Sequence, residues 1–161
     1  MESSGRGLTV SSVNESITRM ENTQRRLIWH GMFLFLLGLL TGFAESNFAN
    51  VRMALAAHLE GVMNGIFLVA LGSAWAKVRL SSPAQSFAFW ATLYGAYANW
   101  VMTSLAAIFG TKVLSPLTGT SQGGQPWQET LVMVGLMSVG VAIVVGTVVI
   151  LWGLRSEPQK A

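Results

Sequence analysis

Three large polar side chains interrupt the apolar run from Met53 to Ala76: His58, Glu60 and Asn64. A carboxylate at bilayer depth costs roughly 2.5–3.5 kcal/mol even on lenient insertion scales, so Glu60 points to function. At about 100° per residue, Ala54, His58, Gly61, Gly65 and Gly72 fall within a helical sector about 60° wide, and the histidine is its only large polar member. Glu60 and Asn64 lie about 40° apart on the adjoining face. The helix therefore offers a ligand on one side and a polar pair on the next. Small residues around a histidine suit a planar cofactor, with His58 as metal ligand and Gly61 and Gly65 beside it. The same glycines, like the G-x-x-x-G of Gly38 and Gly42, also suit plain helix packing, and a lone histidine can simply hydrogen-bond to another helix.

A second polar cluster falls further on, at Tyr94, Tyr97, Asn99, Trp100, Thr103 and Ser104. Spacings of three and four put polar groups on more than one helix face. Buried hydroxyls and amides need partners, which either a helix contact or a substrate can supply. The substrate reading makes Tyr97 and Asn99 hydrogen-bonding residues of a pocket opposite His58, Glu60 and Asn64. His30, near the end of an earlier apolar run, is expected at the membrane interface. Counting along two antiparallel helices at about 1.5 Å per residue separates it from His58 by roughly 13 Å or more in depth, so the two do not clamp one haem.

The elements that position these groups are membrane helices. The chain has 161 residues, 52% of them hydrophobic and 11% charged, against about 25% charged in soluble domains. Four runs are long enough to cross a hydrocarbon core: about 27–44, 53–76, 84–110 and 129–154. The fold expected is an all-α membrane protein, a four-transmembrane-helix antiparallel bundle over 25–155, oligomeric, with a flexible or surface-lying polar tail at 1–24 and a short tail at 156–161. A cleaved signal peptide is disfavoured because the first apolar run is too long for one. Too little polar sequence remains to coat a soluble core.

Arg6, Arg19, Arg25, Arg26, Lys77, Arg79, Arg155 and Lys160 fall on one side of this topology, against Arg52 and Lys112 on the other. Both termini are therefore expected in the cytoplasm, in a bacterial inner membrane. This bias accounts for the net charge of +3 without nucleic acid. Trp29, Trp75, Trp127 and Trp152 are expected in an aromatic belt. The loop 45–52 is short enough to make the first two helices antiparallel neighbours, and Thr111 to Pro126 reads as an irregular connection. No cysteine is present, which excludes thiolate metal sites and a C-x-x-C-H haem attachment. No aspartate is present either, and no Walker A or G-x-S-x-G motif, so nucleotide-driven and Asp-triad chemistry are excluded.

The stretch Arg25 to Gly110 resembles hydroxylaminobenzene mutase, a small membrane isomerase that converts arylhydroxylamines to aminophenols. The matching blocks are Leu34 to Gly42 (LFLLGLLTG), Asn50 to Met53 (NVRM), His58 to Leu68 (HLEGVMNGIFL) and Tyr94 to Trp100 (YGAYANW). More distantly, His58, Asn64 and Gly65 are similar to the His-x5-Asn-Gly of styrene oxide isomerase. That family holds haem b through the histidine, uses ferric iron as a Lewis acid and assembles as a trimer. The resemblance implies that His58 is the axial ligand, Asn64 orients substrate and the chain forms a homotrimer. The family's functional helix-three tyrosine does not fall cleanly on Tyr94 or Tyr97, and Glu60 rests on chemistry alone.

The expected activity is an intramolecular hydroxyl transfer that turns an arylhydroxylamine into an ortho-aminophenol, with haem b aiding N–O cleavage. Glu60 is the candidate for moving the ring proton, and Asn64, Tyr97 and Asn99 for holding substrate. The competing reading is a proton-coupled transporter of hydrophobic cations, similar in size to small multidrug transporters, with Glu60 as the cation site. A bis-ligated haem electron carrier is a third, disfavoured by the depths of the histidines.

Overall fold

A computed structural model describes residues 10–112 and 123–155. Four long helices account for most of them: α1 Val10–Ala44, α2 Val51–Ala74, α3 Ser82–Phe109 and α4 Pro126–Arg155, with 3-10 turns at Glu45–Asn47 and Trp75–Lys77. Among the described residues there is no strand, as expected where no water is available to satisfy a sheet edge. The middle of the connection expected between Thr111 and Pro126, the extreme N-terminus and the tail 156–161 lie outside the described residues.

Local chemistry sets the helix ends. The Asn50 side chain accepts the Met53 N–H at 3.2 Å, capping α2, while the Asn50 N–H donates to the Ala107 carbonyl at 3.0 Å and ties the start of α2 to the end of α3. Pro83 sits in the first turn of α3, where its missing N–H costs nothing. Gly110 closes that helix at φ 67°, a left-handed conformation that favours glycine. The Glu129 carboxylate accepts from the backbone N–H groups of Lys112 and Gly124, at 3.1 Å and 2.9 Å, so one side chain joins the end of α3 to the start of α4.

The helices pack in chain order, each antiparallel to the next. Gly31 faces Gly65 and Val69, Gly38 faces Gly61 and Val62, and Gly42 faces His58, which sets the register of α1 on α2. A Cβ on Gly61 would lie 2.5 Å from the Gly38 Cα, so these backbones meet with no room for a methyl group. Gly95 fits under Ile143 and Gly146 against Ala91, which fixes α3 on α4. Leu27, Leu34, Leu68, Phe89 and Leu93 fill the centre.

Three features differ from expectation. The first helix begins at Val10, not near Leu27: the polar residues 10–24, expected to form a tail, continue the helix, and Arg19 donates to the Ser82 hydroxyl at 3.0 Å. Trp75 is 1% exposed and belongs to the core, whereas Trp29, Trp127 and Trp152 are exposed as belt residues should be. Finally, α1, α2 and α4 contain stretches long and apolar enough to cross a membrane. Helix α3 carries no charge, but Gln85, its two tyrosines, Asn99 and several hydroxyls interrupt its apolar run. Most of α4 is exposed, including Val134, Met137, Val141, Val144 and Leu151, a surface suited to lipid or another apolar partner.

Candidate active site

His58 lies one turn before Gly61 on α2 and turns toward α1. Its Nδ1 is 2.8 Å from the Gly38 carbonyl oxygen. A carbonyl can only accept, so Nδ1 carries a proton, and in the neutral ring Nε2 then holds the lone pair. A metal-bound histidine uses this same arrangement, with one nitrogen anchored by a carbonyl and the other left to ligate. The donor chemistry at His58 would therefore suit a haem iron.

The glycines beside it do not line a cofactor slot. A Cβ on Gly61 would strike Gly38 and Trp100, and one on Gly65 would come 2.6 Å from the Phe35 nitrogen. Gly61 and Gly65, expected to line a cofactor site, are filled over by the backbone of α1. The helical wheel identified the face correctly, but small residues admit a helix as readily as a planar ring.

Glu60 turns the other way, toward α3. Its Oε2 accepts from the side-chain amides of Asn99 and, at 3.3 Å, of Asn64. The Asn64 amide also reaches the Ala96 carbonyl at 3.5 Å, which commits both its hydrogens and leaves its Oδ1 as an acceptor. No donor among the described residues reaches Glu60 Oε1. Three of the expected residues thus form one cluster, with the carboxylate held by two amides.

Tyr97 does not join it. Its hydroxyl donates to the His30 carbonyl at 3.2 Å and lies 3.1 Å from His30 Nδ1, so the tyrosine expected in a substrate pocket instead ties α3 to α1. His30, expected at the interface, is half-buried against that ring. On α1 it lies eight residues from the Gly38 that holds His58. At 1.5 Å per residue this is about 12 Å, so the two histidines do not share one flat group. Trp100 donates to the Thr41 hydroxyl at 3.1 Å, and Tyr94 pairs with Ser138 at 2.7 Å.

Beside Asn64 a cavity of about 210 Å³ opens between α2, α3 and α4, lined by Asn64, Phe67, Thr92, Ala96, Ile143 and Thr147. Sequence reasoning missed its α4 wall. The available signal was Thr147, a hydroxyl in a stretch otherwise made of valine, isoleucine, alanine and glycine.

The arrangement provides an anchored histidine with a free nitrogen, a carboxylate able to exchange a proton, an amide oxygen and an apolar chamber. The styrene oxide isomerase family profile matches residues 23–155. Hydroxylaminobenzene mutase HabB of Ectopseudomonas oleovorans is 44% identical over 137 residues, 84% of each chain. Hydroxylaminobenzene mutase HabA of the same organism is 36% identical over 132 residues, covering 81% of this chain and 98% of that protein. No solved structure gives a significant match. With α2, α3, α4 and most of α1 inside the match, the chain belongs to the styrene oxide isomerase family of membrane isomerases.

Proposed function

We propose that this isomerase converts arylhydroxylamines to ortho-aminophenols, moving the hydroxyl from nitrogen to the ring within one molecule. The observation that carries this reading is the Glu60 carboxylate, held on one oxygen by Asn64 and Asn99 beside an apolar cavity. The names of the two relatives supply the substrate class.

The reaction breaks one N–O bond and forms one C–O bond, with no net change in oxidation state. It also removes a proton from the ring carbon that receives oxygen and returns one to nitrogen. Asn64 Oδ1 accepts a hydrogen bond from the N–OH group and fixes its direction. Glu60 takes the ring proton on Oε1, the oxygen its asparagines leave free, and gives a proton back to nitrogen, so the enzyme ends as it began. Asn99 holds the carboxyl group in place by its hydrogen bond to Oε2. The apolar walls, Phe67, Ala96 and Ile143, exclude water that would otherwise capture the cleaved intermediate.

His58 is the residue that would hold haem b, through Nε2. A ferric haem held there would supply Lewis-acid chemistry suited to N–O cleavage. In this reading α3 crosses the membrane with the other three helices, both termini lie in the cytoplasm of a bacterial inner membrane, and three copies assemble. The arginines of α1 and the absence of charge between Arg79 and Lys112 support that topology.

The test is turnover of hydroxylaminobenzene labelled with ¹⁸O by the detergent-purified protein. 2-Aminophenol that keeps the label supports intramolecular transfer. Oxygen acquired from solvent water, or no aminophenol, overturns it.

A further inference from the structure

Helix α4 has three hydroxyl side chains, Thr130, Ser138 and Thr147. Thr130 donates to the Pro126 carbonyl, and Ser138 bonds to the Gly135 carbonyl and to Tyr94. Thr147 makes no hydrogen bond among the described residues, although it lines the cavity beside Asn64. Elsewhere in the fold Thr18, Thr23, Thr41 and Thr92 turn their hydroxyls back onto the carbonyl four residues earlier, the usual way a helix satisfies threonine.

The packing register places Thr147, itself partly exposed, at the rim of the cavity. Ile143 seats over Gly95, and Gly146 lies against Ala91 and Thr92. On the other side, Asn64 reaches Ala96. Asn64, Ala96 and Ile143 therefore form one level of the cavity, and Phe67, Thr92 and Thr147 form the next, about one helical turn or 5 Å further along. That separation is close to the span of a benzene ring. Thr92 gives its proton to the Ala88 carbonyl at 2.7 Å, which leaves Thr147 as the hydroxyl donor at this end.

Resting on the reading above, we propose that Thr147 is a specificity-determining residue. With the N-hydroxy group at Asn64, the far side of the ring reaches the Thr92 and Thr147 level, and the Thr147 hydroxyl donates to a hydrogen-bond acceptor carried there. The substrate class is an arylhydroxylamine with a nitro, acyl or carboxamide group across the ring from nitrogen. Ile143 and Phe67 close on the two sides of the ring between these ends.

The experiment compares kcat/KM for 4-acetyl- and 4-ethyl-phenylhydroxylamine, substituents of similar size that differ in an acceptor oxygen. It uses the full-length protein, Thr147→Val and Thr147→Ser. Losing one hydrogen bond in a water-poor site should cut the acetyl preference about five- to tenfold in Thr147→Val, mainly through KM, leave the ethyl substrate within about twofold, and be restored in Thr147→Ser. Equal effects on both substrates, or none on either, overturn the proposal. Binding of 4-aminoacetophenone against 4-ethylaniline, which do not rearrange, is measured in parallel by titration. If no arylhydroxylamine turns over, the reaction assignment falls. The aniline pair then decides the subsite alone: a Thr147-dependent preference for the ketone keeps it, and equal binding removes it.

Discussion

His58 and Glu60, two positions apart on α2, face different helices: the histidine ring is bonded to the Gly38 carbonyl of α1, and the carboxylate to the Asn99 amide of α3. Two residues turn a helix by about 200°, so the proposed ligand and the proposed proton carrier are held by different neighbouring helices. Changes at one should leave the other in place.

Glu60→Gln should therefore keep any pigment bound through His58 while lowering kcat by at least about 100-fold, the usual lower bound for losing a general acid–base group. The measurement is an absorption spectrum and a rate on the same preparation. Loss of proton-coupled efflux of a hydrophobic cation in this variant, with no isomerase activity in the parent, would instead favour the transporter reading.

If haem is held as proposed, the purified protein has a Soret band, and His58→Ala should remove it together with activity. Gly42→Ala is the subtler variant, since its new methyl group would come 2.7 Å from His58 Nδ1 and must displace the ring. It should shift or weaken the same band. An unchanged spectrum and rate in His58→Ala would end the haem assignment, and a colourless but active parent would leave the work to Glu60 and its asparagines.

Gly61→Ala should act on stability, because the space it needs is occupied by Gly38. Forcing two packed backbones apart typically costs about 1–3 kcal/mol, readable as a lower thermal midpoint in detergent. Normal stability with selective loss of pigment would mean that the glycine row serves a cofactor after all.

Tyr97→Phe should lower stability by about 1 kcal/mol through loss of the bonds to His30, with kcat and KM within about twofold of the parent. Asn99→Ala should do the reverse, slowing turnover about tenfold because the carboxylate loses one of its two anchors. Equal kinetic losses in both would return Tyr97 to the substrate.

Much of this was legible from residue types. The Glu60–Asn64 pair sits at the spacing of four that makes helix neighbours, and Asn99 was recognisable as an amide in need of a partner. The four apolar runs locate the four helices within a few residues except at the start of α1. There, Val10, Val13, Ile17 and Met20 recur at spacings of three and four, a thin helical stripe that is easily passed over in a segment otherwise made of polar residues. Periodicity shows which residues share a face but not what covers it. Gly61 and Gly65 were assigned to a cofactor and meet α1, Tyr97 was assigned to substrate and meets His30, and Trp75 was assigned to the interface and is buried. Each of these depends on how two helices rotate against each other. The α4 wall was missed because Thr147 has no polar neighbour in sequence to mark it.

The Glu129 clasp makes the segment between α3 and α4 a natural graft point. Because the carboxylate holds the backbone at Lys112 and Gly124 together, a peptide spliced into positions 113–122 begins and ends at anchored stems. An affinity tag inserted there should leave turnover intact, and the same insertion with Glu129→Ala should not. The protein could then be purified, or labelled at the end that carries this loop, with neither terminus touched.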